Sequence, residues 1–323
     1  MEDKNYIFAV YQHISNKLKK RRILKKPNVT EACQQFENLA IKCEAEDLPH
    51  YAGLCYQAAA NCQVSLGNTL EQAHLLIKAY RKYMSNYLRY VTQNLVYTDE
   101  NYHEALVCYK ECVDCFSYTN NHEIPNKNVV LSGISLEIAD LFKSKLGRLE
   151  ETVDEYKKVL KLLDKSPVEK INCLQKLVSI KIQMGFYDDA LKYTNDLVDE
   201  AQKIPTSGFR EDVLHNSEIT RILLVLILQP TPQQITPMIT SVLEKYAWVE
   251  TVDNNELADL QTTLSNNGVS VDEKFFLCIQ SLVMACQYGD SDCLVTLESE
   301  LIPYITCEQR ELLRILVKQK LKK

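Results

Sequence analysis

MGFYDDALKYT, residues 184–194, carries an aromatic at Tyr187, a small residue three positions on at Ala190 and a third inward position at Thr194. Spacings of three and four put all three on one helix face. Gly185 just ahead of them suits the left-handed backbone that closes one helix before the next begins. Three other stretches share the plan: LGNTLEQAHLLI at 66–77, DENYHEALVCY at 99–109 and LGRLEETVDEY at 146–156. Their triples are Leu70/Ala73/Ile77, Tyr102/Ala105/Tyr109 and Leu149/Thr152/Tyr156, and Gly67 and Gly147 precede two of them. A small residue at the middle position lets two helices approach closely, and the larger neighbours fill the space between successive hairpins.

Such units resemble the second half of a tetratricopeptide repeat, whose usual period is about 34 residues. Here Leu70, Tyr102, Leu149 and Tyr187 stand 32, 47 and 38 residues apart. The uneven spacing resembles the long-helix variant of that fold found in the soluble NSF attachment proteins. The expected fold is therefore all-α, a tetratricopeptide-repeat-like, soluble-NSF-attachment-protein-like right-handed helical solenoid.

The rest of the chain agrees with helices. With 8 Gly and 9 Pro in 323 residues, it is poor in the turn and bulge residues that β folds need. Ile7, Val10, Ile14 and Leu18 lie on one face of a first helix. Asn28 with Glu31 reads as a capping box opening a second, whose buried stripe is Ala32, Phe36, Leu39 and Cys43. Further helices are expected near 49–66, 69–90, 101–118, 127–145, 148–164, 167–184, 187–203, 211–228, 234–248, 272–288, 290–304 and 306–321. IPTSGFRED, 204–212, reads as a loop. The polar, Asn-rich stretch 251–273 reads as a flexible acidic linker. These boundaries divide the chain into a hairpin solenoid over 1–250, the linker 251–273, and a C-terminal helical cluster over 274–323 that continues the solenoid. ILLVLIL, 222–228, is the longest apolar run, and seven residues fall far short of the roughly 20 that cross a bilayer.

Catalytic chemistry finds little support. CYKECVDC places Cys108, Cys112 and Cys115 in the C-x3-C-x2-C spacing of radical S-adenosylmethionine enzymes. That motif needs a loop, whereas this segment is helical and sets the three thiols in a row on one face. A zinc site from Cys112, Cys115 and His122 lacks a fourth ligand and a knuckle turn. The other cysteines, Cys43, Cys55 and Cys62 among them, fall in apolar stripes and read as reduced core residues. This fits an N-terminus, MEDKNYIFAVYQH, that has no secretory pattern. The six His stand apart, with His74 and His103 expected as half-buried helix residues. No G-x-S-x-G or glycine-rich phosphate loop occurs. The reading is a protein that is not an enzyme, with no metal and no cofactor.

One feature is out of character with a net charge of −6. Seven of the ten residues 17–26 are cations: Lys17, Lys19, Lys20, Arg21, Arg22, Lys25 and Lys26. Nucleic-acid binding is disfavoured by the acidic chain and the lack of interleaved aromatics. Anionic membrane binding lacks a second anchor. An import signal remains open, and composition alone favours a solvated helix end, where Lys and Arg suit the helix dipole.

Three stretches carry a closer resemblance: ISNKLKKRRILKKPNVTEACQQF at 14–36, EITRILLVLILQPTPQQITPMITSVLEKYAW at 218–248, and FFLCIQSLVMACQYGDSDCLVTLESELIPYITCEQRELLRILV at 275–317. In this order they resemble the family of forty-kilodalton huntingtin-associated, or factor VIII intron-A, proteins. Vertebrate members carry Pro- and Ala-rich insertions where this chain has only IPTSGFREDVLHNS, so the resemblance is to a distant, invertebrate relative. It implies a 1:1 heterodimer with huntingtin, a large HEAT-repeat protein whose parts the partner bridges, with the seven cations as contact residues. It also implies an early-endosome connection through a Rab GTPase, with residence in cytoplasm and nucleus. No nucleic acid and no integral membrane contact are expected. The alternative is a vesicle-fusion adaptor of the NSF-attachment type, against which the basic ending LVKQKLKK counts.

Overall fold

The computed structural model describes residues 2–19, 28–96, 98–118, 127–163, 166–230, 245–246 and 273–322. Among them are thirteen α-helices and no strand. These are α1 (Glu2–Lys19), α2 (Val29–Ala45), α3 (Pro49–Leu66), α4 (Thr69–Thr92), α5 (Glu100–Tyr118), α6 (Lys127–Leu141), α7 (Leu149–Leu162), α8 (Pro167–Gln183), α9 (Tyr187–Gln202), α10 (Gly208–Leu228), α11 (Glu273–Tyr288), α12 (Ser291–Leu301) and α13 (Cys307–Leu321). The protein is all-α, and short reversals join α2 to α3, α3 to α4, α8 to α9, α9 to α10 and α11 to α12.

Two compact units divide within α6, after Leu131. In the first, α1 packs on α2, α2 on α3, α3 on α4 and α4 on α5. In the second, α7–α10 pack in sequence, α11–α13 likewise, and α13 also lies against α10 and α8. The division falls inside the 1–250 segment expected as one solenoid. The expected linker, 251–273, lies outside the described residues except for Glu273, which opens α11. The expected helix 234–248 likewise lies outside them, apart from Lys245 and Tyr246. Helices α11–α13 share one core with α8–α10, built from Val178, Leu191, Leu224, Leu282, Leu294, Leu313 and their neighbours.

The small central residues of the repeat occupy the places the spacing predicts: Ala73, Ala105, Thr152 and Ala190 are all buried. Gly67, Gly147 and Gly185 have φ of 75°, 64° and 79° and close their helices with left-handed backbone. Leu70 departs from the expectation and is 52% exposed. It sits in the first turn of α4, level with the end of its packing partner α3 at Leu66, so the core begins one turn later. The closest approach is elsewhere on the same pair. A Cβ on Gly53 of α3 would stand 3.0 Å from the Tyr83 ring of α4.

Local chemistry sets the ends. The Asn28 side chain accepts the Glu31 N–H at 3.2 Å, while the Glu31 carboxylate takes the Asn28 side-chain amide and not its backbone N–H. A complete capping box stands at α13, between Thr306 and Gln309. The segment 204–212 is only partly a loop. Ser207 accepts the Arg210 N–H at 3.3 Å, so α10 starts at Gly208. There Arg210 and Glu211 are half-buried and Asp212 is exposed. The expected helix 127–145 ends in a π turn, Phe142–Leu146, and 290–304 ends in a 3-10 turn, Ile302–Tyr304.

Candidate partner-binding surfaces

The basic run begins on α1. Ile7 and Ile14 are buried, Val10 and Leu18 are half-buried, and Lys17 and Lys19 are exposed in the last turn. Two cations there complement the negative end of the helix dipole. Lys20, Arg21, Arg22, Lys25 and Lys26 lie outside the described residues.

Sequence reasoning missed a second surface. In the C-terminal unit, a cleft of about 820 Å³ is lined by α8, α10 and the start of α13, with Lys143 of the π turn at its edge. On α8, Asn172, Gln175, Lys176 and Ser179 face it at helical spacing, opposite the buried Ile171, Leu174 and Leu177. Gln309 is buried at the cleft and fully engaged. It donates to the Asn216 carbonyl at 3.0 Å and the Thr220 hydroxyl at 3.2 Å, and accepts the Thr306 N–H at 2.9 Å. The amide stripe on α8 was the available signal, but only the fold reveals that residues near 175, 216 and 308 share a wall.

Behind that surface lies ILLVLIL. Ile222 through Ile227 are all buried, Leu224 completely. No described helix is long and apolar enough to cross a membrane. From Ile222 to Ile227 the run is covered by protein all round, as a helix apolar around its circumference must be, and Leu228 is half-buried at its end. Polar groups frame its N-terminal side. Arg221 is 6% exposed and donates from Nε to Asn195 Oδ1 at 2.8 Å, and burial pulls its guanidinium pKa down. Glu218 accepts both Lys245 Nζ and the Tyr246 hydroxyl at 2.7 Å. The His215 ring meets Phe275 at a steep tilt, centroids 5.5 Å apart, and burial lowers its pKa against the opposing pull of Glu218.

The in-line cysteines of α5 pack inward, and His122 lies outside the described residues. Cys108, Cys112 and Cys115 are buried in line on α5. Burial pushes the thiols of Cys108 and Cys112 up to about 12, away from the thiolate that binds metal or attacks. No group of three His, Cys, Asp or Glu among the described residues could hold a metal ion. Ten cysteines are buried, but Cys293 is half-buried and Cys307 exposed, so those two are not core residues. His74 and His103 are exposed on α4 and α5, not half-buried, because the aromatic and small residues beside them take the inward face.

Hairpins closed by left-handed glycines, crossing at small residues and presenting broad side-chain surfaces, make a protein-interaction adaptor. The chain belongs to the soluble NSF attachment protein (SNAP) family, whose sequence model matches residues 23–207. Over almost its whole length it is similar to the 40-kDa huntingtin-associated protein of Mus musculus, 25% identical over 364 residues that span 96% of this chain and 92% of that protein. It matches the protein of the same name from Rattus norvegicus at the same identity and coverage. An alignment of 364 positions exceeds this chain's 323 residues, so the relatives carry residues that this chain lacks.

Proposed function

We propose that the chain is a non-enzymatic scaffold subunit that binds huntingtin in a 1:1 heterodimer and bridges its HEAT-repeat parts. The supporting observation is the extent of the similarity. It reaches through both compact units to relatives named as huntingtin-associated, well beyond the 23–207 segment common to the wider family. The basic run supplies an electrostatic contact. Lys17, Lys19, Lys20, Arg21, Arg22, Lys25 and Lys26 face an acidic patch that sets encounter and register, while apolar packing supplies the affinity. A scaffold of this kind buries upwards of ~2,000 Å² with its partner. It acts in cytoplasm and nucleus and reaches early endosomes, and a Rab GTPase, through the complex.

The test is co-expression with the source organism's huntingtin, followed by size measurement of the purified complex. A single species with one copy of each chain is expected, and two chains that elute separately would overturn the reading. Reversing Lys19, Lys20, Arg21 and Arg22 to Glu should slow association and reduce its salt dependence, because exposed charges act over a Debye length of about 8 Å.

A second reading, a vesicle-fusion adaptor, is favoured by the family match itself. It calls for an acidic C-terminal end to engage the ATPase. Here α13 carries Lys318 and Lys320 in its last turn, and Lys320 is turned inward, donating to the Cys286 carbonyl at 3.1 Å. Stimulation of NSF on assembled SNARE complexes would establish the adaptor role in place of the scaffold.

A further inference from the structure

A groove of about 410 Å³ runs between α1 and α3 in the N-terminal unit, with buried Phe36 of α2 at its base. Leu18 of α1 and Leu54 and Ala58 of α3 line it, each half-buried and so only partly covered by the chain's own packing. Lys19 stands at the end where α1 stops. Further back, the Gln57 amide accepts the Tyr83 hydroxyl at 3.0 Å and donates to a Glu104 carboxylate oxygen at 3.3 Å. The groove thus has an apolar middle and a cation at one end, with the Gln57 amide held in place from behind.

The chemistry narrows what fits. Both walls are helices whose backbone groups bond within their own helix, so they offer side chains only and cannot add a strand. From Leu54 to Ser65 the α3 wall runs about 16 Å at 1.5 Å per residue, which is three turns of a docked helix. The volume lies in the range that takes a ligand the size of several side chains. Lys42 and Lys82 elsewhere in the unit face Glu46 and Glu44, whereas Lys17 and Lys19 face no carboxylate among the described residues. Five more cations follow in the sequence before the chain returns to the groove at Val29.

The geometry points to one occupant: an amphipathic helix of the partner, its apolar stripe in the groove and its acidic end over Lys17 and Lys19. This rests on the huntingtin reading above and names the part of that partner the site takes. The cation at one end sets the direction in which the helix lies, because reversing it takes the acidic end away from Lys17 and Lys19.

The groove can be filled without touching its charges. Ala58→Trp puts an indole into it from the wall, and Asn61→Trp does so from the exposed rim of α3, where the fold has little at stake. With melting temperatures near wild type, both variants should bind huntingtin at least tenfold more weakly in an equilibrium titration. Lys19→Glu should slow association and flatten its salt dependence. Wild-type affinity in both folded Trp variants would overturn the groove while leaving the huntingtin reading intact. Lost binding in the Trp variants with Lys19→Glu unchanged would overturn the acidic helix. A wild-type chain that fails to bind huntingtin would end both.

Discussion

The two units use one hairpin plan and two core chemistries. The N-terminal unit buries six tyrosines and seven cysteines, against two and three in the described part of the C-terminal unit, where Leu, Ile and Val dominate. The aromatic core holds its shape by specific fits. Tyr83 lies against Gly53 and reaches Gln57, Tyr87 meets Tyr102 at 5.2 Å, and Tyr11 meets Phe36 at 5.3 Å. The aliphatic core is held by the amount of apolar surface removed from water, above all around α10. Flat rings with a polar tip demand partners and orientation, whereas branched aliphatics demand only volume and dryness.

The largest effect should come from placing a charge in the aliphatic core. Leu224→Asp is expected to cost about 4 kcal/mol or more, because Leu224 is fully enclosed in a core of Leu, Ile and Val side chains that cannot solvate a carboxylate. Urea unfolding measures it, and a cost under about 1 kcal/mol would mean that this face of α10 is open. In the aromatic core the sensitive change is a single methyl. Gly53→Ala should destabilise by about 1–3 kcal/mol, because the Tyr83 ring must shift by tenths of an ångström in a close-packed crossing. If it stabilises instead, as a helical Gly→Ala change does in open space, the fit at Tyr83 is looser than described.

Smaller still is Tyr83→Phe, expected at about 1 kcal/mol for the lost hydrogen bond to Gln57. No change in the unfolding midpoint would place the worth of that ring in its volume alone and erase part of the contrast between the units. The smallest effect concerns pH. His215 has a folded pKa below its ordinary 6.5 because burial disfavours the imidazolium. The unfolded chain therefore takes a proton first as pH falls through about 6.5. Stability present above that pH is lost progressively until the depressed folded value is passed. His215→Gln should make the unfolding midpoint less sensitive to acid than wild type between pH 7.5 and 5, and identical profiles would remove His215 as a source of acid sensitivity.

Much of this architecture is legible in the sequence because close helix crossings require small residues and reversals require left-handed backbone. Ala190 and Gly185 declare both. Leu70 misleads because periodicity extends to the end of a helix while its neighbour does not. The start of α10 is obscured because Arg210, Glu211 and Asp212 put polar residues where an apolar stripe would announce a helix, and the cap at Ser207 shows only in the structure. Charge at Lys17 and Lys19 is legible as charge, but the groove beside it is not. It needs Leu18, Phe36 and Ala58 brought together from three helices. The larger cleft is harder again, since it joins residues more than a hundred positions apart.

The uneven distribution of thiols has a practical consequence. Eleven of the twelve cysteines are wholly or partly inside, while Cys307 is exposed at the start of α13 and lines the large cleft of the C-terminal unit. The unmutated protein therefore offers a near-selective attachment point for a fluorescent maleimide. A dye placed there would report, through its anisotropy and quenching, whether that cleft is covered when a partner arrives.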